Sequence, residues 1–249
     1  MSLIKSSNPV LGDRFLKNAS SYASSEVMTF KGTVNKTILL LLLVILGATY
    51  TWKLAFTAAD VSSLYPWMFG GAIGGFISCL VIVFKPATAR FMAPVYSILE
   101  GLFLGGVSAL YAAQTQGIVL QAVLVTLAVF FFMLFAYRTG IIKVTDKFRS
   151  GIIAATGGIM VAYLATWIFS MFGVNFSFMY GNGLMSIGIS LVIVVIAALN
   201  LVLDFDFINR GVQQGAPANM EWYGAFGIMV TLVWLYIEIL RLLSKLSKR

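Results

Sequence analysis

The stretch Leu39-Leu40-Leu41-Leu42-Leu43-Val44-Ile45-Leu46 decides the fold. It is unbroken leucine, valine and isoleucine, with no polar residue on either side of any register. A membrane β-strand would alternate apolar with polar over about half a helix's span length. A helix satisfies its own backbone hydrogen bonds and needs about 20 apolar residues to cross the hydrocarbon core. Extended to its polar flanks, this run covers Thr37–Phe56. Six more runs of similar length follow: Tyr65–Phe84, Phe91–Ala113, Ile118–Tyr137, Gly151–Phe172, Leu184–Leu203 and Trp222–Leu243. The first is no cleaved signal peptide, since it starts late and no small-residue cleavage site follows it. The whole chain of 249 residues is 60% hydrophobic and 10% charged, with mean hydropathy +0.94. A water-soluble fold of this size could not hide so much apolar surface. The expected class is an all-α integral membrane protein with seven transmembrane helices. Residues 1–36 form a short polar arm, and 37–249 form the transmembrane domain.

The charges set the orientation. There are 17 Lys and Arg against 9 Asp and Glu, a net +8. Basic residues cluster in the N-terminal arm (Lys5, Arg14, Lys17, Lys31, Lys36), after the second run (Lys85, Arg90), after the fourth (Arg138, Lys143, Lys147, Arg149) and after the sixth (Arg210). The alternate connections hold Lys53 or nothing. Positive flanks mark the cytoplasmic side, so the N-terminus is expected in the cytoplasm. The C-terminus breaks the pattern with Arg241, Lys245, Lys248 and Arg249. Either the last run spans, its direction imposed by the six before it, or it is re-entrant or strongly shifted, so that its basic end remains cytoplasmic. Attraction to anionic lipid accounts for the basic excess without a nucleic-acid partner.

Histidine is absent, which removes imidazole metal ligands, histidine bases and histidine pH sensing. The single cysteine, Cys79, excludes an intramolecular disulfide. Chemistry then falls to the acids. Asp13, Glu26, Asp60 and Asp146 lie in tails or loops and read as solvated surface. Glu100, Asp204, Asp206, Glu221 and Glu238 lie in or against the apolar runs. A charge at the bilayer centre costs about 2.5–3.5 kcal/mol even on the lenient insertion scale, so each is a functional candidate. Glu100 precedes Gly101, Gly105 and Gly106, glycines that let another helix come close. Two carboxylates close together in a low-dielectric site share protons as a unit. They also supply hard oxygens suited to Ca²⁺, but too few for a strong site. In a plain antiparallel hairpin Asp204 would lie beside Glu221. Lys85 or Arg90 could latch the sixth-helix carboxylate.

Several segments, in order, resemble the Bax inhibitor-1 family, also called the transmembrane Bax inhibitor motif family, and its bacterial branch most closely. They are Ser7–Leu11, Met28–Thr37, Pro94–Gly105 with its Glu100-Gly101, Leu203-Asp204-Phe205-Asp206-Phe207-Ile208, and Glu221-Trp222-Tyr223 through Trp234-Leu235-Tyr236-Ile237-Glu238-Ile239. The resemblance implies six helices around a central C-terminal seventh, in a bacterial inner membrane. It also implies a pH-sensitive Ca²⁺ leak governed by an acidic pair on the last two helices. Asp204 takes the sixth-helix position, with Asp206 as the neighbouring register. Glu238 takes the last-helix position, where the family pattern carries aspartate, and reaches one methylene further. Glu100 and Glu221 are accessory acids.

The leading expectation is a cation leak with protons and transient Ca²⁺ as its ligands and no cofactor. Asp204 and Glu238 would be the weak Ca²⁺ ligands. The alternative is a non-conducting membrane regulator that binds a membrane protease or quality-control partner through the N-terminal arm. An enzyme is not expected: Gly-x-Ser-x-Gly, His-Glu-x-x-His, Walker and Gly-x-Gly-Asp motifs are missing, and the last run has no lysine for retinal.

Overall fold

A computed structural model of the chain describes residues 26–57, 61–173, 181 and 183–248. Most of the N-terminal arm, with Asp13 and the Ser7–Leu11 segment, lies outside the described residues, as does Asp60. Among the described residues there is no strand, and seven helices are long and apolar enough to cross a membrane. They are α1 (Phe30–Thr57), α2 (Tyr65–Phe84), α3 (Ala89–Ala112), α4 (Ile118–Arg138), α5 (Asp146–Met171), α6 (Leu184–Gln213) and α7 (Met220–Ser247).

Several helices outrun their apolar runs, because hydropathy marks only the depth a helix spends in hydrocarbon. The backbone ladder continues until a cap or turn stops it. Helix α5 starts at Asp146 rather than Gly151, where the Thr145 side chain accepts the Phe148 N–H at 3.2 Å. Helix α1 starts at Phe30, inside what the sequence assigns to the arm. Helix α6 runs ten residues past Leu203 to Gln213. Asp204 and Asp206 therefore lie inside a helix and not at its end. Helix α7 is one continuous helix of 28 residues, about 42 Å at 1.5 Å per residue, not a re-entrant hairpin. Pro66 sits in the first turn of α2, but Pro94 lies inside α3, where it denies the Arg90 carbonyl its intrahelical donor.

The described chain forms two compact units. The first runs up to Gln114 and adds Asp204–Val230; the second comprises Thr115–Leu203 and the chain from Thr231 on. In the first unit, α1 and α3 approach to backbone contact. A Cβ on Gly101 would strike the Val44 carbonyl, and one on Gly105 would strike Ala48 and Thr51. Without a hydrophobic drive between helices in lipid, such close packing is what holds them together. Just before α1, the chain is stitched to the α6–α7 turn. The Met28 N–H donates to the Ala216 carbonyl at 2.7 Å, the Ala218 N–H donates to the Glu26 carbonyl at 3.0 Å, and Val27 bridges Pro217. Gly215, at φ 65°, gives that turn its left-handed residue.

The buried share of the most apolar stretch is 17% in α4 and α5, 56% in α6 and 61% in α7. The last two helices are thus the spans most shielded by protein, and they carry four of the five candidate acids.

Candidate functional site

In the second unit, Glu238 lies 9 residues before the end of α7, about 14 Å along its axis. It is 1% exposed. Its partners come from α5 and from its own helix. The Tyr163 hydroxyl donates to Oε1 at 2.8 Å. The Arg241 guanidinium donates to Oε1 and Oε2, both at 3.1 Å. Arg241 also donates to the Tyr163 oxygen and lies over the Tyr163 ring, 5.2 Å from its centroid. The three side chains form a closed triangle: a carboxylate, a guanidinium and a phenol. The spacing 238, 241, 245 keeps one helix face, so Lys245 continues the line. Its ammonium, 5% exposed as a residue, donates to Ser186 Oγ at 2.7 Å, Ser190 Oγ at 2.8 Å and the Ser186 carbonyl at 3.3 Å. Further along α6, Asn200 donates to Thr156 Oγ1 at 2.9 Å.

The sequence points to Glu238 and places Arg241 at i+3 on the same helix face. It reads Arg241 and Lys245 as flanking charge, and it misses Tyr163, Ser186 and Ser190. A basic residue near a span end ordinarily reaches out to the interface. Here two of the four C-terminal cations turn inward instead. The available signal was the helical spacing of 238, 241 and 245.

In the first unit, Glu221 opens α7 and binds α1. Its Oε1 accepts the Thr29 N–H and Thr29 hydroxyl, each at 2.8 Å, and its Oε2 accepts the Lys36 ammonium. Lys36 also lies over the Trp222 ring, 5.4 Å from the centroid. Gly32 makes room for this carboxylate, which a Cβ there would overlap. Its place in the first turn of α7 suits the helix dipole, and the contacts to Thr29 and Lys36 tie it to the start of α1 as well. Asp206 accepts Arg210 Nε at 2.8 Å, one turn along α6. Asp204 is 0% exposed. Glu100 is half-buried in mid-α3, with Oε2 over Gly75 of α2. Lys85 and Arg90 are exposed, and neither pairs with a described carboxylate.

Asp204 belongs to the first unit and Glu238 to the second. Among the described residues, no three Cys, Asp or Glu gather as a metal site. The Glu238 oxygens already hold a guanidinium and a phenol, so a cation there would first have to displace Arg241. Two carboxylate oxygens also fall far short of the six to eight oxygens Ca²⁺ prefers.

A family model described as Bax inhibitor 1 like matches residues 8–248, nearly the whole chain. No curated protein and no solved structure matches the chain.

Proposed function

We propose, from the premise that this chain belongs to the Bax inhibitor 1 like family, that it is a proton-regulated cation leak of a bacterial inner membrane, with Ca²⁺ among the ions it passes. The chain is a multi-pass membrane protein, and the family is not a known enzyme family. The observation that carries the reading is the Glu238–Arg241–Tyr163 triangle within a span. While Glu238 is ionised, Arg241 neutralises it and occupies the oxygens a cation would use. Protonation removes the charge that holds the guanidinium, and Arg241 loses its reason to stay. The buried Asp204 is a second proton-dependent position on α6. Ca²⁺ is cargo here and binds only in passing. The N-terminus faces the cytoplasm, an orientation supported by the basic flanks of the even-numbered connections.

Ca²⁺ entry into liposomes carrying the purified protein, read between about pH 5 and 8, tests this. The wild type should leak in a pH-dependent way. Glu238→Gln should leave a leak that no longer responds to pH, and Asp204→Asn should change it. No wild-type flux at any pH in that window overturns the reading.

The alternative, a non-conducting regulator acting through the arm, has one observation in its favour. The arm joins the spans through the Met28–Ala216 and Glu221–Thr29 contacts, so a partner holding the arm would pull on the start of α7. Removal of residues 1–25 should then abolish co-purification of a membrane protease. Under the leak reading, flux should survive the same deletion.

A further inference from the structure

Three of the acids placed in or against the spans have a cation in reach: Glu221 has Lys36, Asp206 has Arg210 and Glu238 has Arg241. Glu100 is different. It makes no ion pair or hydrogen bond with a described residue. It also sits at mid-depth. Eleven residues of α3 precede it and twelve follow, about 16–18 Å of helix to either end. Gly75, which it faces, is near the middle of α2 in the same unit.

Its surroundings are built for a carboxyl group. A Cβ on Gly75 would lie 2.8 Å from Glu100 Oε2, so the carboxyl rests where a larger residue would make it shift. Tyr96, one turn back on α3 and 5% exposed, and Cys79, one turn on from Gly75 on α2, are the titratable side chains within electrostatic reach of Glu100. Tyr223 of α7 stands in the same relation to Cys79. From α1 the groups meeting α3 near this level are Val44, Ala48 and Thr51, none of them titratable. Among the described residues, every titratable neighbour of Glu100 is therefore a phenol or a thiol, neutral near pH 7. One more polar atom points the same way: Ser97 Oγ, one turn before Glu100, is buried without a hydrogen-bond partner. A carboxylate ion at this depth would have no counter-charge among the described residues, an arrangement that favours the neutral, proton-bearing acid.

We propose that Glu100 is a membrane-embedded proton-binding site, seated over Gly75 and flanked by Tyr96 and Cys79, and separate from the salt-bridged acids of α7. It carries its proton at rest and gives it up only at high pH or when a cation takes the proton's place. The site stands whether or not the protein conducts Ca²⁺.

Dicyclohexylcarbodiimide tests it, because this apolar reagent adds the O–H of a protonated carboxyl and ignores carboxylates. Full-length protein in liposomes is treated, digested and mapped by mass spectrometry. Glu100 should react at least about ten-fold faster than the ion-paired Glu238 or Glu221. The rate should fall as the pH rises from about 6 to 9. Gly75→Ala, whose methyl meets the carboxyl, should alter the rate at Glu100 and leave that at Glu238 unchanged. Infrared spectra of wild type against Glu100→Gln should show loss of one protonated-carboxyl C=O band. Labelling of Glu238 in preference to Glu100, or labelling of Glu100 that does not change with pH, overturns the proposal. The wild-type measurement decides even if a variant fails to fold.

Discussion

Tyr163 and Glu238 meet across 75 positions of sequence, the phenol donating to the carboxylate at 2.8 Å inside the second unit. Arg241 binds both, so the three should behave as one element. Arg241→Met leaves a buried carboxylate without its cation, a change that typically costs about 3–5 kcal/mol. Glu238→Gln combined with Arg241→Met removes both charges and should cost less than Arg241→Met alone. Thermal unfolding in detergent, arranged as a double-mutant cycle, reads the coupling. Strict additivity would mean the pair is a bystander. Tyr163→Phe keeps the ring under the guanidinium and removes only the hydroxyl. Its loss should be about 1.5–3 kcal/mol, as expected for a hydrogen bond to a charged group.

The spans are legible in the sequence because a bilayer imposes one length and one composition on every helix. Tyr65 and Phe84 bound a run that is also a helix, to the residue. The candidate acids are legible for a similar reason: charge is so scarce in hydrocarbon that Glu100 and Glu238 stand out. Their partners are not legible. Lys245 reaches Ser186 and Ser190, 59 and 55 positions away, and nothing in hydropathy marks two serines in an apolar run as acceptors. Helix ends are hidden too, because the backbone ladder of α6 passes Leu203 without regard to side-chain polarity. That is why Asp204 reads as terminal and is found buried.

The lysine at the end of α7 gives a rescue experiment. Ser186→Ala with Ser190→Ala removes two oxygens that accept from a buried ammonium. Leaving such donors underbonded costs about 1–3 kcal/mol or more when the group is charged. The double serine variant should therefore melt earlier than wild type. Adding Lys245→Met should recover much of the loss, because an apolar side chain of similar length suits the emptied site. If the triple variant is no more stable than the double one, the serines do not act through the lysine.

Helix packing in the first unit should fail at one atom's scale. Gly105→Ala places a methyl where the Ala48 carbonyl and Thr51 hydroxyl already lie. The α1–α3 contact must open, and overpacking of this kind costs about 1–3 kcal/mol. Gly151→Ala, at a position with open space, is the control and should melt within about 0.5 kcal/mol of wild type. Equal effects of the two substitutions would contradict the packing described for α1 and α3.

The Glu221 clamp joins the start of α1 to the start of α7, and its two oxygens can be tested apart. Lys36→Met removes the ammonium and leaves both Thr29 donors in place. Glu221→Gln weakens all three contacts. Gly32→Ala drives a methyl into the carboxylate. The expected order of destabilisation is Glu221→Gln above Lys36→Met, with losses of about 1–3 kcal/mol. Hydrogen exchange should locate them, with faster exchange at Met28 and Ala218, whose N–H groups stitch the arm's exit to the α6–α7 turn. Unchanged exchange at both amides would show that the clamp does not hold that turn.

The direction of α7 supplies the last test. Four basic residues at the C-terminus argue for a cytoplasmic end if all four are free flanks. Two are not free: Arg241 is committed to Glu238 and Tyr163, and Lys245 to Ser186 and Ser190. Within the second unit, Ser247 Oγ lies 3.3 Å from Thr115 Oγ1, beside the start of α4. That connection carries no Lys or Arg and reads as the non-cytoplasmic side. The C-terminus should then lie opposite the N-terminus. A single cysteine placed at Lys248 in a Cys79→Ser background should react with a membrane-impermeant maleimide in intact cells, and one placed at Lys31 should react only after permeabilisation. Protection of the C-terminal cysteine in intact cells would reverse the assignment and return the basic tail to the cytoplasmic face.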